Sequence, residues 1–464
     1  PYFDDETVRA VMLLRAHNLA AGYSGVRPGL VDRLVEFLNC GLIPLIPEQG
    51  SVGASGDLAP LAHLALALIG EGVATDAGQM MTLRYNGKKF ASLREAKRKN
   101  PRDSGLRTLS ERYHLHFKEG LALLNGTEVM AAAAVLAHQD ACRLVDWADA
   151  TGAMTLESIL GCSRAFDKIV LSVYRHKGAS RSAENVRRLI TGSRLINKSE
   201  RVHDPYSVRC IPQVHGTVRD ALEYVGRILE EHVNSIHDDP ILFNEKEVRK
   251  MPPADGWKER LYFEHGHFHG EPVGVAMDLL AIVVSELGAI SERRIQMLLD
   301  PHHNQGLPAA LIDNPQGLNS GYMVAQYTAA SLVSENKVLA HPASVDSIPT
   351  SANTEDHVSM GTIAARKAGK IVENVENILA IEALCASEAL SFRMGLQRIT
   401  ETNPITIKKE IMTKDPGSGT RKVYDLLRGK KGIPLLGGKD MVLYPFIQQA
   451  RDILKKSSPF SRFR

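Results

Sequence analysis

The sequence predicts an all-α fold built from a bundle of long helices. Apolar residues recur at helical spacing over long stretches, and the stretch 273–300 continues for about seven turns before Pro301 ends it. Strand-like segments are few and short, around 81–85 and 262–263. Helices that are apolar on wide faces must cover one another, so a bundle with few strands follows.

The predicted helices follow one another along most of the chain. They cover 58–69, 129–150, 214–234, 273–300, 321–340 and 362–393. Segments rich in proline, glycine or charge interrupt this pattern at 97–105, 250–256, 302–317 and 415–438, and none has the composition of a flexible linker. We therefore expect an N-terminal part, 1–205, and a second part, 206–464, with the long central helices and C-terminal helices, in one continuous unit or two.

Composition narrows the class of protein. The 464 residues are 44% hydrophobic, which is ample for a large core. The 56 basic residues nearly balance the 53 acidic ones, so the chain lacks the excess of positive charge that is typical of nucleic-acid-binding proteins. Five scattered cysteines without a C-x-x-C pair are typical of free thiols in a reducing compartment. With neither a signal peptide nor a run of eighteen apolar residues, we expect a soluble cytoplasmic protein without a membrane or nucleic-acid partner.

The most informative stretch is 50–61, GSVGASGDLAPL, in which Ala54-Ser55-Gly56 lies directly before the apolar helix predicted at 58–69. Because glycine adopts backbone conformations closed to other residues, a tight Ala54-Ser55-Gly56 turn can bring the Gly56 nitrogen onto the Ala54 carbonyl carbon. Ring closure and loss of water, including the Ser55 hydroxyl, would leave a strongly electrophilic imidazolone. Taken alone, the tripeptide is better explained as an ordinary turn before a helix, so the case for a ring depends on the surrounding sequence.

Further blocks occur in order along the chain and carry a family resemblance. They are 119–127 (EGLALLNGT), 204–210 (DPYSVRC), 268–272 (FHGEP) and 344–361 (SVDSIPTSANTEDHVSMG). Together with 50–63 they resemble the aromatic amino acid ammonia-lyases, most of all histidine ammonia-lyase. The resemblance implies a helical fold of the ammonia-lyase and fumarase type and a homotetramer with active sites assembled from several chains. It also implies the cofactor 4-methylideneimidazol-5-one (MIO), formed autocatalytically from Ala54-Ser55-Gly56 without an external cofactor or metal.

Other site residues are assigned by position in these blocks. Asn125 is expected to hold the ring oxygen and the bound amino acid, although an asparagine before a long helix also suits an N-terminal cap. Tyr206 and Arg209, three residues apart, share one side if their segment is helical. Arg209 has a planar guanidinium that can bind the substrate carboxylate through two hydrogen bonds. The simpler alternative is that Arg209 forms a surface salt bridge. The resemblance places Tyr206 beside the ring, where it can assist proton transfer.

Glu355 is the best indication of the substrate. A carboxylate can accept a proton from an imidazole or pair with it, whereas the phenylalanine and tyrosine lyases typically have glutamine and another pattern here. Phe268 is expected to flank the ring and the substrate, or otherwise to belong to the core. These residues predict elimination of ammonia from L-histidine to give urocanate, with phenylalanine or tyrosine as alternative substrates and an aminomutase outcome left open.

Several positions depart from the histidine ammonia-lyase pattern. His203 replaces glutamine, Asp239 and His267 each replace asparagine, and Thr354 replaces glutamine before Glu355. An added carboxylate and two added imidazoles favour a cationic substrate, such as the N-methylated histidine of the related ergothionases. The front segment of the family pattern, with its tyrosine-bearing lid, also lies outside this chain, so we expect either a shortened chain or a site completed by another polypeptide.

Two alternative functions, each from another class of protein, compete with the ammonia-lyase interpretation. His265, His267 and His269 alternate, and on an extended segment they would point three imidazoles to one side as a metal trio, which suggests a metal-dependent hydrolase. No H-E-x-x-H or C-x-x-C accompanies them, and no nucleotide-binding glycine motif occurs. The other alternative is an inactive helical scaffold, which would have no reason to retain the tripeptide together with Asn125, Tyr206, Arg209 and Glu355.

Overall fold

The computed structural model describes residues 1–70, 73–75, 78–251, 253–257, 260–313, 317–397, 414–430 and 432–460. These residues are predominantly helical, which confirms the predicted all-α class. The helices are α1 (Asp5–Ala20), α2 (Pro28–Cys40), α3 (Leu58–Ile69), α4 (Leu93–Lys99), α5 (Ser104–Thr108), α6 (Glu119–Leu124), α7 (Glu128–Ser158), α8 (Lys168–Ser172), α9 (Lys177–Leu189), α10 (Tyr206–Arg209), α11 (Ile211–Val233), α12 (Glu245–Lys250), α13 (Glu271–Leu299), α14 (Met323–Leu339), α15 (Gly361–Arg393), α16 (Ser418–Arg428) and α17 (Tyr444–Lys456).

Short antiparallel strands form three small sheets within the described residues. The strands are β1 (Ile43–Pro44), β2 (Val73–Thr75), β3 (Gly78–Met80), β4 (Leu83–Tyr85), β5 (Lys88–Phe90), β6 (Ile241–Leu242) and β7 (Tyr262–Phe263). The sheets have the orders β1-β4-β5, β2-β3 and β6-β7. Both predicted strand segments are confirmed as β4 and β7, and the sheets remain too small to form a layer of their own.

The chain divides into two compact units. The first contains 1–137, 225–278 and 342–369, and the second contains 138–224, 279–341 and 370–464. Except at 341, the boundaries fall inside long helices, namely α7, α11, α13 and α15. Each long helix therefore supplies one part of its length to each unit.

In the first unit, helix ends are fixed by local sequence. The Asp4 carboxylate accepts a hydrogen bond from the Thr7 amide at 2.8 Å and caps α1. Pro28 begins α2, and Gly41, in the left-handed conformation at φ 70°, ends it. The buried faces of α1, α2, α3 and α6 share one apolar cluster with the small β1-β4-β5 sheet, and this core supports the loops at either end of α3.

In the second unit, the core is organised around a buried carboxylate. The Glu382 carboxylate, on α15, accepts two hydrogen bonds from the Arg294 guanidinium at 2.5 and 2.8 Å. It also accepts hydrogen bonds from the hydroxyls of Ser291, Thr151 and Thr155. These bonds satisfy a charge that would otherwise be costly to bury. They also explain why α7 continues to Ser158, beyond the predicted end at 150. The glycine and threonine residues after residue 150 lower the local helix propensity, but the threonine hydroxyls form hydrogen bonds to Glu382 in the core.

Among the described residues, helix α13 is long and apolar enough to cross a membrane by length and composition alone. Its most apolar window is 61% buried within the fold, as is typical of the core helix of a folded bundle. The predicted helix 273–300 matches α13 closely because Pro301 removes the next helical amide.

Candidate active site

The Ala54-Ser55-Gly56 segment lies in a tight loop directly before α3. Gly56 has a positive φ of 75°, and a Cβ atom there would lie 2.1 Å from the carbonyl oxygen of Gly126. The amide of Asp57 donates to that same oxygen at 2.7 Å. Only glycine fits this contact, so the tripeptide is pressed against the main chain that follows Asn125.

Asp57 anchors the loop from beneath. Its buried carboxylate accepts hydrogen bonds from the Ser51 hydroxyl at 2.7 Å, the Met130 amide at 2.9 Å and the Thr362 hydroxyl. Burial raises the pKa of Asp57 to about 6, against the opposing effect of these donors. The carboxylate therefore joins the start of α3 to α7 and α15 at the point where the tripeptide ends.

A second segment, 358–361, holds the other side of the loop. The Met360 amide donates to the Val52 carbonyl at 2.8 Å, and the Ser359 hydroxyl donates to the Gly53 carbonyl at 2.8 Å. Ala54 packs with Val358 and Met360 in a small buried apolar cluster. The tripeptide is thus fixed on both flanks, with Ala54 and Gly56 buried and Ser55 half-buried.

Ser55 and Glu355 meet directly, although 300 residues separate them in the sequence. The Ser55 hydroxyl donates to one Glu355 carboxylate oxygen at 2.7 Å, and the Thr350 hydroxyl donates to the other at 2.7 Å. The bond from Ser55 and that from Thr350 lower the pKa of Glu355 against the effect of burial. An ionised carboxylate therefore stands beside the tripeptide.

Asn125 is buried next to the same loop. Its side-chain amide donates to the Asp239 carbonyl at 3.2 Å, whereas its Oδ1 atom is buried with no hydrogen-bond partner among the described residues. The buried Arg15 guanidinium donates to the Asn125 carbonyl at 3.1 Å and pairs with Glu128. Asn125 therefore does not cap α7, so the capping interpretation is wrong, and Oδ1 is left able to accept a hydrogen bond.

Asp239, His267 and Phe268 lie in neighbouring segments of the first unit. The Asp239 carboxylate accepts the His265 amide at 2.9 Å, and the His265 ring lies 6.4 Å from the Phe268 ring. His267 is exposed and Phe268 is half-buried. Phe268 therefore belongs to a cluster of rings and not to the closed core.

The predicted trio of His265, His267 and His269 is wrong. This segment turns instead of running extended, so the rings of His265 and His267 face each other at 4.1 Å. His269 points elsewhere, and its ring lies 5.6 Å from the ring of His357. The geometry therefore removes the observation on which a metal-dependent hydrolase depended.

Tyr206, Arg209 and His203 belong to the second unit. Tyr206 and Arg209 lie on the single helical turn of α10, and both line a cavity of about 680 Å³ together with His203. Tyr206 is 71% exposed, and Arg209 is exposed as well. The spacing thus predicted their shared side correctly, and their chemical roles stay predictions.

Sequence reasoning missed the residues that hold the loop. Asp57 gave a recognisable signal, because it is the only carboxylate between a glycine-rich turn and an apolar helix. Arg15, Ser359 and Thr362 gave none, since their contacts join segments that are distant in the chain.

A helical fold that holds an Ala-Ser-Gly loop between a buried asparagine and an ionised glutamate has the architecture of a carbon–nitrogen lyase. Comparison with known proteins specifies the class further. The family model for aromatic amino acid lyases matches residues 1–428. The chain belongs to the aromatic amino acid lyase family and is an enzyme of the ammonia-lyase type.

Individual relatives agree with this assignment. The chain is 49% identical to a histidine ammonia-lyase of Caldanaerobacter subterraneus subsp. tengcongensis over 97% of this chain and 78% of the relative. The crystal structure of histidine ammonia-lyase from Trypanosoma cruzi is similar with a TM-score of 0.79 and 36% identity, covering 99% of this chain and 78% of that one. Tyrosine aminomutase from Streptomyces globisporus is similar with a TM-score of 0.81 and 32% identity, covering 98% and 80%.

Proposed function

We propose that the protein eliminates ammonia from L-histidine to give urocanate. The observation that carries this proposal is the contact between Ser55 and Glu355 at 2.7 Å. It places an ionised carboxylate beside the tripeptide, where an imidazole ring can pair with it. Loss of the Ser55 hydroxyl on ring formation would free one Glu355 oxygen, while Thr350 still donates to the other. An imidazole can bond to the freed oxygen and an apolar substrate ring cannot, so the site favours histidine over phenylalanine.

The residues around the tripeptide fit the cofactor MIO. Gly56 is held so close to Gly126 that no side chain can occupy the space, and Ala54 is buried in a loop that is bonded on its other flank to Ser359. Ala54-Ser55-Gly56 would form the ring, with Asp57 and Ser359 fixing its flanks. When present, MIO supplies an electrophile that takes up the substrate amine and makes it a better leaving group.

The remaining side chains bind and orient the substrate. Arg209 would hold the carboxylate through its planar fork, and Asn125 Oδ1 would accept a hydrogen bond from the amine. Glu355 would fix the imidazole, while Tyr206 would assist movement of the β-proton. Phe268 would flank the substrate ring, with His203, Asp239 and His267 near it.

We further propose a homotetramer in the cytoplasm, with each site assembled from several chains. The exposure of Tyr206 and of Arg209 supports assembly, because residues that complete a site on another copy must be accessible before the chains associate. The free state of all five cysteines supports a reducing compartment.

A modified histidine is the second candidate substrate. His203, Asp239 and His267 supply one carboxylate and two imidazoles that the histidine ammonia-lyase pattern lacks, which favours a cationic group on the amine. In the structure the Asp239 carboxylate already accepts the His265 amide, so it is only partly free to bind such a group. L-Histidine therefore ranks first.

A substrate panel tests the proposal. The natural protein is incubated separately with L-histidine, L-phenylalanine, L-tyrosine and ergothioneine, and conjugated product absorbance and the released amine are measured. The proposal predicts equimolar ammonia and urocanate from L-histidine, at a higher kcat/KM than for any other member of the panel. Preferential turnover of ergothioneine would support the second candidate, and preferential turnover of phenylalanine or tyrosine would refute both.

A further inference from the structure

Three side chains of types that bind metals converge in the first unit, apart from the Ser55–Glu355 contact. They are His269, Glu271 and His357, and their ligand atoms all lie within 4.8 Å of one another. Two imidazoles and one carboxylate form a donor set that zinc binds in proteins. This set shares only His269 with the alternating trio, and sequence spacing gave no indication of it.

The hydrogen bonds of His269 already select a tautomer suited to a metal. Its Nε2 atom lies 3.1 Å from the His357 carbonyl oxygen, which can only accept, so Nε2 carries the proton. The lone pair is therefore on Nδ1, whose present partner is the Glu271 amide at a long 3.3 Å. Histidine ligands to metals commonly donate their other ring N–H to a main-chain carbonyl in this way.

Glu271 supplies the second, independent observation. Its Oε2 atom is buried and has no hydrogen-bond partner among the described residues. Glu271 begins α13, where the helix dipole favours an acidic side chain, but the dipole does not give this oxygen a partner. A cation held jointly with His269 and His357 would satisfy it.

The cluster also has room for a cation and for solvent. His269 and Glu271 line a cavity of about 690 Å³ in the first unit, together with His232, His237 and His267. The Nε2 atom of His237 is likewise buried without a partner in the described chain. A metal ion at the cluster would therefore keep one coordination position open toward a cavity with imidazole groups in its wall.

We propose that His269, Glu271 and His357 bind one divalent transition-metal ion of the zinc type, with its fourth position facing this cavity. Metal–ligand distances of about 2.0–2.2 Å place tetrahedral ligands roughly 3.4 Å apart, so side-chain shifts of about 1 Å close the site. Nitrogen donors and the small ligand number disfavour magnesium and calcium. The ion would join the segment that carries Phe268 to the segment that carries Glu355.

Calorimetric titration with Zn²⁺ tests the site without reference to enzyme activity. The natural protein is treated with a chelator, dialysed and titrated with Zn²⁺, and in parallel with Mg²⁺. We expect one Zn²⁺ per chain, no comparable Mg²⁺ binding, and a rise in melting temperature with Zn²⁺. His269→Asn, Glu271→Gln and His357→Asn should each weaken Zn²⁺ binding by about 100-fold or more, since even second-shell changes cost roughly 10- to 100-fold.

His114→Asn is the matched control, because His114 is exposed in the same unit and lies outside the cluster. It should retain the wild-type Zn²⁺ affinity. Circular dichroism and the melting temperature without metal establish that each variant is folded. Zn²⁺ binding that is equal in wild type and all three cluster variants, or no stronger than Mg²⁺ binding, would overturn the proposal.

Discussion

The contact between Gly56 and the Gly126 main chain makes Gly56→Ala the most revealing substitution in the loop. The new methyl group would lie 2.1 Å from the Gly126 oxygen and 2.5 Å from its carbonyl carbon. Both atoms are main chain, so the loop itself must move. Movement would separate the Asp57 amide from the Gly126 carbonyl and shift Ser55 away from Glu355.

The expected loss in the free energy of unfolding of Gly56→Ala has two parts. An alanine at φ 75° adopts the left-handed conformation, which costs roughly 1–2 kcal/mol. Forcing a methyl group into a filled space adds about 1–3 kcal/mol. We therefore expect Gly56→Ala to lower the free energy of unfolding by about 2–5 kcal/mol. Lyase activity should fall to background, since the tripeptide leaves its bonded position.

Gly87→Ala is the control that separates the conformational cost from the packing cost. Gly87, in the turn between β4 and β5, has nearly the same φ of 74°, and nothing lies within 4 Å of a Cβ atom there. This control should lose only the conformational roughly 1–2 kcal/mol and remain active. Denaturant unfolding and lyase rate are measured for both variants. Equal destabilisation and equal activity in the two variants would refute the close packing of Gly56.

Three other predictions concern ionisable side chains. Glu355→Gln should lower kcat/KM for L-histidine by about 10- to 150-fold, the equivalent of losing a charge-assisted bond of about 1.5–3 kcal/mol, and should affect L-phenylalanine less; an equal loss for both substrates in steady-state assays would contradict the role of Glu355. Arg209→Lys should raise KM about tenfold or more, because lysine cannot bind a carboxylate with a planar fork, and an unchanged KM would remove that role. Burial lowers the pKa of His237 to about 4 from 6.5, so the folded state resists its protonation and stability is lost as the pH falls below 6.5. His237→Phe should reduce the stability difference between pH 7 and pH 5 by about 2 kcal/mol in denaturant titrations, and an unchanged difference would count against the buried neutral imidazole.

The sequence predicted the long helices well where local signals mark their ends. Pro301 limits the end of α13 to within one residue of the prediction. The Leu58–Ile69 helix matches completely because its last turns are apolar without interruption from Leu64 to Ile69 and Gly70 follows them. The end of α7 was missed by eight residues, 150 against 158, since Thr151 and Thr155 favour helix only through their bonds to the buried Glu382.

The sequence indicated candidate site residues, whose roles stay predictions, but it could not indicate the contacts between them. The blocks indicated Ser55 and Glu355 separately, whereas their hydrogen bond joins segments 300 residues apart. The predicted histidine trio failed because alternation gives one face only on an extended backbone, and this segment turns. The pairing of His269 with His357 depends on the same turn, and spacing could not reveal it.

The central claim is that Ser55 becomes part of an electrophile that acts on histidine, and one measurement tests it most directly. Urocanate formation from L-histidine is followed for the natural protein and for Ser55→Ala, with circular dichroism to establish that both are folded. We predict a rate for Ser55→Ala that is lower by several orders of magnitude. Equal urocanate formation by the two folded proteins would contradict the claim.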